Sequence, residues 1–128
     1  MALVDIGREA LMSRLIGQTA FTLFDATNAH VGVGNGTTAV AATDVDLSGA
    51  SKARKAMDAG YPTRSGRAVT FRSTFGTADA NFAWEEVGIH NAATGTAAPA
   101  AMLNRFLSAQ GTKTNTATWQ LTVTVTLA

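Results

Sequence analysis

Two carboxylates, Glu85 and Glu86, stand side by side in the segment "NFAWEEVGIHNA". A pair of carboxylates can serve as acid and base only if both face one substrate. Neighbours on a regular strand point to opposite faces, which separates such a pair. The pattern predicts one exposed Glu and one that accepts hydrogen bonds from backbone N–H or Arg groups. The segment runs into His90, and His30 is the other histidine. Neither sits in HxH or HExxH spacing, so no metal site is expected and each reads as a half-buried polar residue on a strand. "VGVGNGTT" places Gly32, Gly34 and Gly36 in GxGxG spacing, without the GxGxxG of a dinucleotide site or the Lys-Ser/Thr of a phosphate-binding loop. Asn35-Gly36 reads as a hairpin or turn dipeptide. "SKARK" gathers Lys52, Arg54 and Lys55 in a solvated loop or against an acidic partner, with Asp44, Asp46 and Asp58 near enough in sequence to neutralise them. No nucleophile stands with a base and no G-x-S-x-G occurs. The chain is therefore expected not to be an enzyme and to need no cofactor.

The elements that would position these residues are mostly strands. "LVDIGREALMSRLI" has helical spacing, with Leu3, Ile6, Ala10, Leu11 and Leu15 near one face. Gly7 weakens this helix by roughly 1 kcal/mol relative to Ala, and Gly17 is placed to cap it. This amphipathic segment, 1–18, is expected to pack on its own domain or to reach a neighbour, and residues 19–128 to form a single β domain. "AFTLFDATNAHVGV" predicts two short strands split by the turn "DATN". "SKARKAMDAGYP" fits a short helix or an extended segment. In "RAVTFRSTF" the period becomes two, with Val69, Phe71 and Phe75 on one face and Ser73 between them. The parity change between Trp84 and Val87 predicts a bulge near Glu85-Glu86, with Gly88 beside it. "MLNRFLSAQ" fits a strand or a short turn.

"WQLTVTVTLA" alternates cleanly, and its odd-numbered residues from Trp119 to Leu127 are expected to close a core. Phe71, Phe75, Trp84, Trp119, Val123 and Val125 are the predicted core. An uncharged edge strand invites aggregation. This one is therefore expected inside the sheet, or with its edge or outer face covered in an assembly. Short strands between Gly- and Thr-rich turns predict a mainly β fold, a compact antiparallel β-sandwich or barrel with a short N-terminal amphipathic helix.

The chain of 128 residues carries a net charge of +1, which argues against nucleic acid as a main partner. Charged residues make up 15%, which fits a surface partly covered by other protein or one coated with Thr, Ser, Asn and Ala. There is no cysteine, hence no disulfide or thiolate chemistry. No apolar run approaches a membrane span, so no membrane is expected, and the N-terminus lacks the pattern of a secretory signal.

The order of motifs from about residue 30 to 126 resembles small virion proteins of tailed bacteriophages. The residues that carry it are "HVGVGNGTTAVAATDVDLSG", the Lys/Arg-rich turn, "VTFRSTF", "ANFAWEEVGIHNA", "MLNR" and "GTKT". Gly34, Gly36, Trp84, Glu85, Gly88, Asn91, Asn104 and Arg105 fall on its recurring positions. "WEEVGIHNA" is also similar to an element of tail-fibre attachment domains. The chain departs from the pattern at Val87, where an aromatic is expected, and at His90, where Phe or Tyr is expected. The resemblance implies a structural virion protein. One form is a head decoration (cement) protein, commonly a homotrimer, that binds the major capsid protein on the outer surface of the assembled head. The other is a tail-fibre or baseplate attachment protein that contacts tail proteins. A chain that stops at Ala128 without a shaft is expected to suit the head better. Leu3, Ile6, Leu11 and Leu15 are the expected assembly contact. A lectin-like domain would need an exposed aromatic platform, and Tyr61 is the only tyrosine.

Overall fold

The computed structural model of the chain describes residues 3–127. One helix, α1 (Asp5–Leu15), precedes β1 (His30–Gly34), β2 (Lys52–Ala56), β3 (Thr63–Ser65), β4 (Ala68–Phe75), β5 (Ala83–His90), β6 (Met102–Thr112) and β7 (Trp119–Thr126). The strands form two antiparallel sheets, one of four strands in the order β2-β1-β5-β6 and one of three in the order β3-β4-β7. The fold is thus mainly β, a sandwich with one short N-terminal helix.

Alternation places the core between the sheets. Val31, Val33, Val87 and Ile89 come from the four-stranded sheet, and Phe71, Phe75, Val123 and Val125 from the three-stranded one. Trp84 is buried among them, edge-on to Phe75 at 4.8 Å and to Trp119 at 4.9 Å. Such edge-to-face pairs add to the burial of the rings themselves. Trp119 is only partly buried at the rim of this cluster, and Leu127 is half-exposed, so the predicted inner face of β7 loosens at both ends. Ser73 lies buried between Phe71 and Phe75, and its hydroxyl donates to the Lys55 carbonyl at 3.0 Å.

The ladder between β5 and β6 shifts between Trp84 and Glu86, where a bulge is expected from the parity change. The extra residues sit on the opposite strand: Trp84 pairs with Gly111 and Glu86 with Leu107, leaving residues 108–110 facing Glu85. A second shift, with Ile89 on Asn104 and His90 on Met102, leaves Leu103 as the additional residue. Leu103 turns into the core, where Leu3 joins it.

One expectation changes and two open ones are decided. Of the two strands expected in 20–33, only β1 forms. The "DATN" turn is present, closed by the Asp25 carboxylate, which accepts from the Asn28 N–H at 3.0 Å. Phe21–Phe24 form no strand, and Thr22 donates to the Pro99 carbonyl instead. Of the two readings of "SKARKAMDAGYP", residues 52–56 take the extended one, as strand β2 along β1. The Gly- and Thr-rich stretch after β1 is a long irregular connection, the loop 35–51 to β2, so of the hairpin and turn readings of Asn35-Gly36 the hairpin does not form.

The helix ends where Gly17 was placed to cap it. Gly17 has φ +80°, its N–H bonds the Arg14 carbonyl, and Gln18 bonds the Ser13 carbonyl. Its buried face is Gly7 and Ala10 rather than the leucines. A Cβ on Gly7 would lie 2.5 Å from the Leu103 carbonyl oxygen and 2.8 Å from the Leu103 Cα. Gly7 is therefore what lets α1 lie directly on β6.

Helix propensity alone makes Gly7→Ala stabilising by roughly 1 kcal/mol. Contact with rigid backbone reverses the sign: the substitution is predicted to destabilise the fold by about 1–3 kcal/mol. Urea denaturation of the two proteins measures it, and an unchanged or higher midpoint would contradict this packing.

Candidate functional site

The outer face of the four-stranded sheet carries the densest polar chemistry of the described residues. In the register of β1 against β5, Gly32 faces Gly88 and Gly34 faces Glu86. Arg105 lies beside Gly88 on β6. Gly34 leaves the room that the Glu86 side chain fills, since a Cβ there would lie 2.5 Å from Oε2. The 35–51 loop folds back over this floor and caps the carboxylate.

Glu86 is fully buried. Its Oε1 accepts from the Ser48 N–H at 2.8 Å, from the Ser48 hydroxyl at 3.2 Å and from Arg105 Nε at 2.8 Å. Its Oε2 accepts from the Gly49 N–H at 2.7 Å and the Gly36 N–H at 3.0 Å. Burial by itself would raise the Glu86 pKa. The N–H groups of Ser48, Gly49 and Gly36, together with Arg105, outweigh it and hold the carboxyl below its ordinary value. Arg105 is spent in the same way. Nη1 donates to Asp44 at 3.0 Å and towards the Ala39 carbonyl at 3.5 Å, and Nη2 donates to the Thr38 carbonyl at 2.7 Å and Ser48 Oγ at 2.9 Å. Burial would lower the Arg105 pKa, but Glu86 and Asp44 raise it. The whole arrangement ties a loop, a strand pair and a buried charge into one clasp. Every oxygen of Glu86 and every nitrogen of Arg105 is engaged, so the clasp has no lone pair or proton to offer a substrate.

The other motif residues also work inside the fold. Asn91 is buried, donates to the Thr22 and Pro99 carbonyls at 2.8 and 3.1 Å and accepts from the Ala101 N–H at 2.7 Å. This is what holds the 20–24 and 97–101 segments together. Asn104 is buried and accepts from the Ile89 N–H at 3.3 Å. Gly88 leaves room for the Asn104 carbonyl, 2.9 Å from where its Cβ would stand. Trp84 donates from its indole to the Ala80 carbonyl at 2.9 Å. Glu85 is the more exposed of the two glutamates. The residue with the buried role is thus its neighbour Glu86, which meets the expected hydrogen-bonded role, while Glu85 is half-buried rather than exposed.

Of the basic cluster, Lys52 and Arg54 both pair with Asp46, at 2.7 and 3.3 Å, and Lys55 pairs with Asp79 at 2.8 Å. Asp44 belongs to Arg105 and Asp58 to Arg72, so of the three nearby aspartates only Asp46 neutralises the cluster. Burial would raise the Asp46 pKa, and Lys52, the Leu47 N–H and Arg54 pull it below its ordinary value. A surface cleft of about 250 Å³ lies here, lined by Asp46, Leu47, Lys52, Arg54, Thr94 and Gly95. Its charged lining is already paired within the chain. No group of three or more His, Asp or Glu among the described residues is arranged to hold a metal ion.

His30 Nδ1 donates to the Asn28 carbonyl at 2.8 Å. His90 is not half-buried but fully buried, and neither ring nitrogen has a hydrogen-bond partner. The ring packs over Gly32, where a Cβ would lie 2.6 Å from Nε2. Burial, then the Arg54 charge, push its pKa down to about 3, with Asp46 opposing and His30 and Lys52 adding slightly. No spacing rule marks such a residue. The sequence signal was the departure from an expected Phe or Tyr at this position.

Replacing Glu86 by Gln sets an NH2 group against N–H donors in a dry site and leaves Arg105 with Asp44 as its one remaining carboxylate. Glu86→Gln is predicted to cost about 3–5 kcal/mol and to speed hydrogen exchange across 36–49. Normal protection of that loop would show that the clasp does not hold it.

Acid acts on both groups in one direction. The folded pKa of His90 is about 3 against 6.5 unfolded. The unfolded chain therefore takes the proton first, and stability declines as pH falls from 6.5 towards 3. Glu86 is also depressed, so its share is present above the ordinary carboxylate range and is lost as pH drops through it. His90→Phe is predicted to flatten the upper part of this decline while leaving the lower part. Denaturation midpoints across pH measure it, and identical profiles for the two proteins would refute the assignment.

No protein-family model, no curated protein and no solved structure matches this chain.

Proposed function

We propose that the protein is a structural component of a tailed-phage virion. In this reading it is a decoration (cement) protein on the outer surface of the head, acting as a homo-oligomer, with a homotrimer the form the resemblance implies. Support comes from the motif order and from one observation of the molecule. The residues with chemical potential are consumed in holding the fold, while large apolar side chains stand out in water at the end of α1. Leu15 is 74% exposed and Ile16 73%, followed by Met12 at 59%, with Leu23 and Leu11 about half as exposed as Leu15. Contiguous exposed apolar side chains of this kind mark contact surfaces.

The proposed contact shifts accordingly. Leu3 is buried in the core and is not available to a partner, while Ile6 is partly buried against the small Val4, Leu47 and Met102 cluster and offers only part of its side chain. Leu11 and Leu15 remain, joined by Met12 and Ile16. A decoration protein that prefers the assembled shell over loose subunits stabilises the shell by linkage, and several copies per oligomer multiply weak contacts. The tail-fibre or baseplate attachment reading uses the same apolar end against a tail protein and differs in location alone. Among the described residues no helix is long and apolar enough to cross a membrane.

Deleting residues 1–17 would remove Leu3 and Val4 from the interior, so the sharper variant is Leu15→Ser with Ile16→Ser. It is predicted to keep the wild-type denaturation midpoint and to lower occupancy on shells prepared without the protein by roughly tenfold or more. Unchanged occupancy would sink the contact. Gold labelling confined to the tail would replace the head reading by the tail reading, and absence of label from virions would end both.

A further inference from the structure

Two open sheets leave four edge strands, and two of them are blunted along their length and a third, β6, at its start, each by a different device. The edge strand β2 carries Lys52, Arg54 and Lys55. The edge strand β3 has 3 residues, one of them Arg64. The edge of β6 is covered where Leu3 bridges Asn104 and the Val4 N–H bonds the Leu103 carbonyl at 3.1 Å. The fourth, β7, spans 8 residues with no charge and no proline. Among the described residues, no main-chain hydrogen bond joins it to any strand but β4.

The register shows which of its groups are free. Arg72 of β4 spends its carbonyl on the Asp58 N–H, away from β7. Arg67 spends its carbonyl on the Leu127 N–H, towards it. In an antiparallel ladder the hydrogen-bonding direction alternates, so the odd residues of β7 bond β4. Thr122, Thr124 and Thr126 then aim their N–H and C=O groups at the open edge. The sequence of this stretch, Leu121-Thr122-Val123-Thr124-Val125-Thr126-Leu127, reads the same in both directions.

From these observations we infer that the β7 edge pairs antiparallel with β7 of a second copy, about a two-fold axis through Thr124. Thr124 then faces Thr124, Thr122 faces Thr126, Val123 faces Val125 and Leu121 faces Leu127. The three threonines are the residues with outward groups, and in this register they form the hydrogen-bonded pairs, on the order of six bonds in all. Direct partners share a face, so valines and leucines meet on the inner side and threonines on the outer. The two three-stranded sheets become one continuous sheet. Leu127, 49% exposed in the single chain, gains Leu121 of the second copy as cover. The outer Thr row already begins within the chain, where Thr70 and Thr124 share a hydroxyl hydrogen bond of 3.1 Å. An unrelated strand would need no palindrome, whereas an isologous contact requires self-complementarity. This pairing closes at two copies and does not rest on the virion reading. A threefold contact would have to use another surface.

Sedimentation equilibrium of the full chain should give a reversible dimer. Thr124→Pro removes an outward N–H that the single chain does not use. It should weaken the dimer roughly tenfold or more while β circular dichroism is kept. Thr124→Lys sets like charges on the axis without touching the main chain and should weaken it as well. Thr124→Cys, in a chain with no other cysteine, should be captured as a dimer by a short bis-maleimide, whereas Thr37→Cys should not. A monomeric wild type overturns the inference. So does an oligomer of any size that neither Thr124→Pro nor Thr124→Lys weakens, or equal capture at the two cysteine positions.

Discussion

A carboxylate taken out of water costs several kcal/mol unless its lone pairs are met, and Glu86 is wholly out of water. The answer to that one constraint organises half the molecule. Three main-chain N–H groups of a loop with little regular structure converge on it, and Arg105 approaches from the next strand. The loop residues Gly36, Ser48 and Gly49 have no ladder of their own to satisfy them, so the carboxylate acts as their missing partner. A long connection that would otherwise sample many conformations is held at both ends of its path by a single side chain.

The clasp also explains the glycines beneath it. Gly34 and Gly36 are often read as a nucleotide signal, because backbone exposed by missing side chains suits phosphate. Here the same property admits a carboxylate from within the chain, and a Cβ at either position would fall 2.5 Å from Glu86 Oε2. The electrostatic logic is that of an anion cradle, with the anion supplied in cis. His90 belongs to the same face and shows the opposite solution. Its ring is accommodated over Gly32 as a neutral, unpartnered group beneath Arg54, at the expense of its basicity.

What could be read ahead of the structure divides along a physical line. Strand faces were legible where alternation alone decides them, as in β4 and β7, and so was the parity break at Trp84, since the two-residue period makes a slip visible. The division of labour between two adjacent glutamates followed from the same rule. Features decided by distant partners were not legible. Gly7 reads locally as a defect and is a requirement because Leu103 lies above it. The choice between helix and strand for "KARKA" is made by the free edge of β1. Which aspartate serves which cation could not be ranked by sequence proximity, because Asp44 is drawn to Arg105, 61 residues away.

Of the residues that carry the resemblance to virion proteins, the fold consumes Gly34, Gly36, Gly88 and Arg105 in and around the clasp, Asn91 and Asn104 as staples between segments, and Trp84 in the core, while Glu85 stays half-exposed on β5. Each of the consumed residues is dictated by packing or by the satisfaction of a buried polar group. The partner must be recognised by what remains outside. Two surfaces remain, and they differ in kind. The end of α1 offers exposed leucine, isoleucine and methionine, which favour contact through burial without fixing direction. The edge of β7 offers main-chain donors and acceptors in a fixed register, which bind directionally and only to another strand. One surface adheres and the other orients, and this chain keeps them at separate places on its surface.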